Sequence, residues 1–70
     1  MIYEKIYTHE QATQAVLLMR QDLTIFINDT ELAKSLRLAK LTFYKRLAFS
    51  DWKSHEINNI NNYIQEINNK

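Results

Sequence analysis

The chain has 70 residues, with nine basic and eight acidic side chains, a formal net charge of +1, and no cysteine, glycine or proline. A chain this short forms at most one domain, and its core alone makes it only marginally stable. Without cysteine it has neither disulfides nor thiolate metal sites, and without glycine it has no glycine-rich phosphate loop.

The absence of both glycine and proline favours helices joined by asparagine, aspartate and serine turns over sharp-turned β structure. No basic segment leads into an apolar run near residue 1, as a signal peptide would require. The longest apolar runs, residues 15–19 and 25–27, are far too short to span a bilayer. We therefore expect a mostly α-helical, cytoplasmic domain with no membrane partner.

The first helix is predicted to begin after Thr8, which forms a capping-box pattern with Gln11. Residues 1–7 before it are ambiguous, because their isoleucines suit a helical turn while their tyrosine and isoleucine content suits a strand. The apolar positions that follow Thr8 recur with helical spacing over about three turns. These positions are Ala12, Ala15, Val16, Met19 and Leu23.

Residues 23–27 are apolar and partly β-branched, and they slightly favour a short strand that would pair with residues 2–7. The alternative is an apolar link packed under the following helices. Asn28 and Glu31 then form a second capping-box pattern, which predicts the start of another helix.

Residues 29–48 read as two short helices joined by a tight turn. Leu32, Ala33 and Leu36 share one helical face, and Phe43 and Leu47 share another on a second helix from about Ala39 to Ala48. The remaining leucine, at position 38, falls out of helical phase. This is expected where the chain turns and places a side chain between two helices.

A last helix is predicted after a cap at Ser50 or Asp51, with Trp52 and four isoleucines on its apolar face. The isoleucines, at positions 57, 60, 64 and 67, have the 3-4-3 spacing of coiled-coil core positions. Two heptads are too few for an independent coiled coil, which favours packing on the domain itself. The opposite face is rich in asparagine and is expected to be solvated.

Charge is strongly separated along the chain. Residues 33–53 contain six basic residues and one acid, a net charge of +5, while the rest contains three basic and seven acidic residues, a net charge of −4. From residue 33 to residue 49 there is no acid at all. Such a basic segment is the electrostatic pattern expected for contact with phosphates.

The segment 32–47, L-A-K-S-L-R-L-A-K-L-T-F-Y-K-R-L, resembles the helix-turn-helix of small phage and bacterial regulators of the Cro/repressor or Fis type. Their usual pattern is L-A-x-x-L-G-[VI]-[ST]-x-x-[ST]-[VL]-Y-[RK]-[RK]-L. Arg37 and Ala39 depart from it, at positions where glycine and a capping serine or threonine are usual. Trp52, Glu56 and Ile57 also resemble the W-x-x-x-E-I helix that follows the motif in such proteins. The matching motif residues are Leu32, Ala33, Leu36, Leu38, Thr42, Phe43, Tyr44, Lys45, Arg46 and Leu47.

The resemblance implies one helix-turn-helix domain over residues 1–70, of about four helices, with the motif at about 29–48. The base-reading positions of these regulators correspond to Lys40, Leu41 and Lys45. Lysines suit guanine O6 and N7, and a leucine suits the thymine methyl group. Hydroxyl groups and further basic side chains suit phosphate oxygens. These predicted phosphate and backbone contacts are Thr30, Thr42, Tyr44, Lys34, Arg37, Arg46 and Lys53.

The function expected on this basis is sequence-specific binding of double-stranded DNA by a small phage- or plasmid-type regulator that occupies an operator. A homodimer is expected, through the isoleucine seam or through residues 2–7. A rival class is a helical protein-interaction module, such as an anti-repressor or adaptor, that uses the basic face. A membrane-surface helix is disfavoured because the basic segment is interrupted rather than continuously amphipathic.

Nothing in the sequence indicates catalysis. His9-Glu10 and His55-Glu56 are the only histidine–acid neighbours, and neither forms the H-E-x-x-H zinc pattern. We expect a non-enzyme with no cofactor, no metal and no small-molecule ligand.

Overall fold

The computed structural model describes residues 2–25 and 27–69, and within them it contains four helices and no strand. The helices are α1 (His9–Gln21), α2 (Asp29–Ser35), α3 (Lys40–Phe49) and α4 (Ser54–Asn68). Helix α1 packs against α3 and α4, and α2 packs against α3. The predicted mostly helical domain is confirmed.

The core draws its largest buried side chains from all four helices and from the link before α4. Burying each large apolar side chain contributes about 1.5–3 kcal/mol, so this set is the main favourable term in folding. The fully buried members are Val16, Met19, Leu32, Leu36, Phe43, Trp52 and Ile60.

Helix α1 begins as predicted. The Thr8 side chain accepts a hydrogen bond from the Gln11 backbone N–H, and the Gln11 side chain accepts one from the Thr8 N–H. Of the five predicted core positions, the first four are buried, but Leu23 is 82% exposed. The prediction for Leu23 was wrong because the helix ends at Gln21, and Asp22 has an extended backbone that breaks the helical period.

The short strand favoured at residues 23–27 is not present in the described part of this stretch, and Phe26 lies outside the described residues. Residues 23–25 form a turn. Asp22 stabilises it, because its carboxylate accepts hydrogen bonds from the backbone N–H and the hydroxyl of Thr24. Ile25 and Ile27 pack against the core, as the alternative of an apolar link implied.

Residues 2–7 form neither helix nor strand, so the two-stranded element is absent here as well. Two α4 asparagines hold this segment: Asn68 bonds the backbone N–H and carbonyl of Tyr3, and Asn61 bonds those of Ile6. The seven positions from Asn61 to Asn68 correspond to about 10.5 Å along α4. The three residue steps from Tyr3 to Ile6 cover about that distance only when the chain is fully extended. The segment therefore runs nearly extended and antiparallel to α4.

A four-residue turn joins α2 to α3. The Arg37 N–H donates to the Lys34 carbonyl, and the Leu38 N–H donates to the Ala33 carbonyl. This is the Schellman pattern of helix termination, in which the residue after the C-cap is left-handed. Arg37 has the expected φ of 60°. The pattern explains why Leu38, out of helical phase, packs against the core.

Helix α4 begins at Ser54 rather than after Ser50 or Asp51, and Trp52 precedes it. Ser50 is left-handed, with φ 50°, and terminates α3 instead of capping α4. Trp52 is fixed in the link by two hydrogen bonds, from its backbone N–H to His9 Nδ1 and from its indole N–H to the Thr13 hydroxyl. These contacts come from α1, so the local pattern around Trp52 could not reveal them.

The isoleucine face of α4 packs on the domain itself, as the sequence favoured. Ile60 and Ile64 are buried, and Ile57 and Ile67 are half-buried against the core. Much of the predicted dimer seam is therefore used within the domain, and the dimer itself stays a prediction. Residues 2–7, the other predicted dimer surface, have Tyr3 and Ile6 buried and their backbone engaged by α4.

No helix within residues 2–25 and 27–69 combines the length and apolar character needed to cross a membrane.

Candidate nucleic-acid interface

The outward side of α3 presents Lys40, Leu41, Tyr44 and Lys45 to solvent, while Phe43 is fully buried beneath them. Leu41 is 69% exposed, although it lies between charged and polar neighbours. A large apolar side chain so exposed forgoes the stabilisation that burial would bring. The outward side of α3 is thus both basic and apolar.

The other predicted contacts are distributed over α2, the turn, α3 and the start of α4. Thr30 and Lys34 are exposed on α2, Arg37 is exposed in the turn, and Lys53 is exposed at the N-cap of α4. Thr42 is half-buried on α3. Arg37 lies in the link between α2 and α3, and Lys40 and Leu41 are the first two residues of α3. Arg37 and Lys40 are therefore only three positions apart in the sequence.

Tyr44 has a partner that the sequence did not indicate. Its hydroxyl donates to Asp29, and the same carboxylate accepts two hydrogen bonds at 2.9 Å from Arg20. The bond from Arg20 is the largest influence that lowers the pKa of Asp29, so this group is a carboxylate at neutral pH. A phenol has one hydrogen to donate. In this arrangement the Tyr44 hydroxyl donates to Asp29, so the phosphate contact predicted for it would require that bond to break.

Arg46 is also engaged within the domain. Its Nε donates to Glu56 Oε1 at 2.8 Å, and the Lys53 backbone N–H donates to the same oxygen at 2.7 Å. The two side chains are 18% and 4% exposed. Burial alone would raise the pKa of Glu56, but the bonds from Arg46 and Lys53 lower it overall. Arg46 thus ties α3 to the start of α4, a role its place in the motif did not predict.

These pairings shape the charge of the surface. Asp29 and Glu56, which lie at the two ends of the basic segment, are each neutralised by an arginine. Lys34, Arg37, Lys40, Lys45 and Lys53 all have exposed side chains. Along residues 33–53 the exposed charges are therefore these five basic residues and one acid, Asp51.

Among the described residues, no group of three or more His, Cys, Asp or Glu side chains is placed to hold a metal ion. His9 Nδ1 accepts the Trp52 backbone N–H, so one histidine already has a structural contact.

The candidate interface includes contacts from residues that sequence patterns do not mark. They identify Asp29 only as an acid suited to a helix N-terminus, and they give Arg20 no particular role. The pairing of these two residues joins positions nine apart on different helices, and no local spacing marks such a contact. Comparison with protein-family models, curated proteins and solved structures finds no match for this chain.

Proposed function

We propose that this protein binds double-stranded DNA sequence-specifically, as a small transcriptional regulator of phage or plasmid type that occupies an operator. The observation that carries the proposal is the outward side of α3, where Leu41 is 69% exposed between Lys40 and Lys45. An α-helix fits the major groove, where lysines can donate to guanine and an apolar side chain can contact the thymine methyl group.

In this proposal, α2, the turn and α3 form a helix-turn-helix. Helix α3 enters the groove, and α2 crosses the sugar–phosphate backbone. Lys40, Leu41 and Lys45 read bases. The more peripheral groups contact phosphates, which set the register of the protein on the duplex. These are Thr30, Lys34, Arg37, Thr42 and Lys53. Tyr44 and Arg46 act indirectly, by holding α3 in place through Asp29 and Glu56.

The proposal includes a homodimer, because a single helix-turn-helix contacts only a short half-site and two-fold operators match two-fold proteins. It describes a binding protein rather than an enzyme. It also implies a cytoplasmic location, since bacterial and phage operators lie in the cytoplasm.

The test is the double variant Lys40→Ala/Lys45→Ala, measured by fluorescence anisotropy on mixed-sequence duplex DNA across a salt series. If each lysine meets a phosphate, the slope of log K against log salt should flatten by about 0.9 for each phosphate that is no longer neutralised. Lys5→Ala, an exposed lysine on the N-terminal segment, is the matched control and should leave the slope unchanged. Equal affinity and slope for the folded double variant and the control would refute the proposal.

A second candidate has its own observation. Phe49, at the end of α3, is 76% exposed, and with Leu41 it adds apolar surface to the basic side. A surface that is both basic and apolar also suits an acidic protein partner. Salt-independent or undetectable binding of duplex DNA by the wild-type chain would favour this protein-interaction role.

A further inference from the structure

The outward side of α1 carries an uncharged strip with an internal symmetry. Over residues 14–21 the sequence is Q-A-V-L-L-M-R-Q, and the exposed positions Gln14, Leu17, Leu18 and Gln21 read the same in both directions. These four residues line one shallow depression on the surface. The intervening Ala15, Val16 and Met19 face the core.

The four residues are also arranged symmetrically on the surface of α1. At about 100° of rotation per residue, Gln14 and Gln21 fall on one line along α1, while Leu17 and Leu18 flank that line by about 50° on either side. The line lies on the opposite side of α1 from its buried face. The strip therefore has a midpoint between residues 17 and 18 about which it maps onto itself.

The strip is also half-exposed and without charge. Leu17 is 39% and Leu18 is 47% exposed, so both retain apolar area to bury. The only basic residue within residues 14–21, Arg20, is turned toward Asp29, which it binds with two hydrogen bonds. Ile2, at 82% exposure, lines a neighbouring groove with Gln14 and Leu18 and extends the apolar area.

We propose that this α1 strip is the interface of a homodimer, in which two α1 helices pack antiparallel across a two-fold axis through the midpoint of the strip. A two-fold interface uses the same surface on both subunits and must be complementary to itself. The strip meets this requirement. Gln14 lies opposite the partner's Gln21, where two amides can exchange hydrogen bonds, and each of Leu17 and Leu18 lies opposite its own copy on the partner.

Two features favour a second copy over an unrelated partner. Leucine opposite leucine and glutamine opposite glutamine are complementary contacts, so the strip can pair with its own copy without a partner of different chemistry. Because the strip has no charged side chain, two copies can meet without the like-charge repulsion that destabilises contacts between identical charged surfaces. This interface does not depend on DNA binding. It replaces the isoleucine seam, which packs on the domain itself, and residues 2–7, of which Tyr3 and Ile6 are buried.

The first experiment is sedimentation equilibrium of the full chain, without DNA, over a concentration series. The wild type should show a monomer–dimer equilibrium. Leu18→Glu should weaken it by at least about tenfold in Kd, because each dimer would bury two carboxylates against leucines. Leu23→Glu, a change at an 82% exposed leucine outside the strip, is the matched control and should leave Kd unchanged. A wild type that stays monomeric at high micromolar concentration would overturn the proposal, as would equal effects of the two variants.

The second experiment tests the antiparallel arrangement and holds even if Leu18→Glu fails to fold. Because the chain has no cysteine, single cysteines report contacts unambiguously. Two copies of residue 14 would be displaced by about 10.5 Å along the helices, beyond the roughly 4.4–6.8 Å between Cα atoms that a disulfide accepts. Gln14→Cys mixed with Gln21→Cys should therefore cross-link much faster than either alone. Faster cross-linking of Gln14→Cys with itself would indicate a parallel pair and refute the antiparallel arrangement.

Discussion

Arg37 and Ser50 take a left-handed backbone conformation that usually belongs to glycine, in a chain with no glycine. For a residue with a Cβ atom this conformation costs roughly 1–2 kcal/mol. At Arg37 the two Schellman hydrogen bonds and the packing of Leu38 offset that cost. Strain at this position is therefore a local cost of the turn between α2 and α3.

Replacing Arg37 with glycine should relieve this strain. Part of the gain is cancelled, because glycine makes the unfolded chain more flexible. We expect a net stabilisation of a few tenths of a kcal/mol, or about 2 °C in Tm for a domain of this size. Thermal unfolding followed by circular dichroism measures it. Arg37→Ala is the control, because it removes the charge but keeps the Cβ atom. A glycine variant that melts below the alanine variant would show that the turn does not carry this strain.

Asp22 links the turn after α1 to the N-terminal segment. Its carboxylate accepts hydrogen bonds from Thr24 and from the Tyr3 hydroxyl at 2.7 Å. The hydrogen bonds from Thr24, then that from Tyr3, lower the pKa of Asp22 from 3.8 to about 2. A lowered pKa in the folded state means that the charged form stabilises the fold. That contribution is complete above the ordinary pKa and is lost as pH falls through the lowered one.

Asp22→Asn should therefore reduce the free energy of unfolding at pH 7, and the difference from wild type should shrink as pH falls from about 4 to about 2. Urea denaturation at a series of pH values measures this. Asp51→Asn, a change at an exposed aspartate in the link before α4, is the control and should show a small difference that varies little with pH. A constant difference between wild type and Asp22→Asn down to about pH 2 would contradict the role given to the carboxylate.

At the scale of elements, α4 does more than bury its isoleucines. Asparagine is a poor helix former, and the asparagine face was expected to be solvated. Instead Asn61 and Asn68 satisfy backbone groups of Ile6 and Tyr3. An amide side chain can donate and accept at once, which suits the N–H and carbonyl of one residue. Helical periodicity marks such a face only as polar, so the docked segment could not be predicted from it.

The start of α4 depends on Glu56, and its removal should be costly. Glu56→Ala leaves the half-buried Arg46 guanidinium and the Lys53 N–H without their acceptor. We expect a loss of about 2 kcal/mol in the free energy of unfolding, since hydrogen bonds to charged groups contribute about 1.5–3 kcal/mol each and solvent partly replaces them here. Chemical denaturation measures it.

Glu66→Ala provides the comparison on the same helix, because Glu66 is exposed and surface substitutions usually change stability by less than about 0.5 kcal/mol. Similar losses for the two variants would mean that the Arg46–Glu56 pair contributes little to the attachment of α3 to α4.

At the scale of the whole molecule, what sequence reasoning predicted correctly is local. Thr8 with Gln11, the Asn28 cap, and the buried faces of α1 and α2 all follow from local residue spacing. The contacts that sequence reasoning missed join residues on different elements of the fold. Tyr44 with Asp29, and Trp52 with α1, depend on how the helices pack, and no residue spacing encodes those distances.

The asparagine contacts between α4 and the N-terminal segment also set an order of events during synthesis. Asn68 lies 65 positions after Tyr3, and the ribosome adds about 5–20 residues per second, so roughly 3–13 seconds separate their synthesis. Until α4 emerges, the backbone groups of Tyr3 and Ile6 lack their asparagine partners and remain accessible to chaperones or to other nascent chains. The bonds of the α2–α3 turn span at most five positions and need no such wait. The turn between α2 and α3 can therefore form before the N-terminal segment docks on α4.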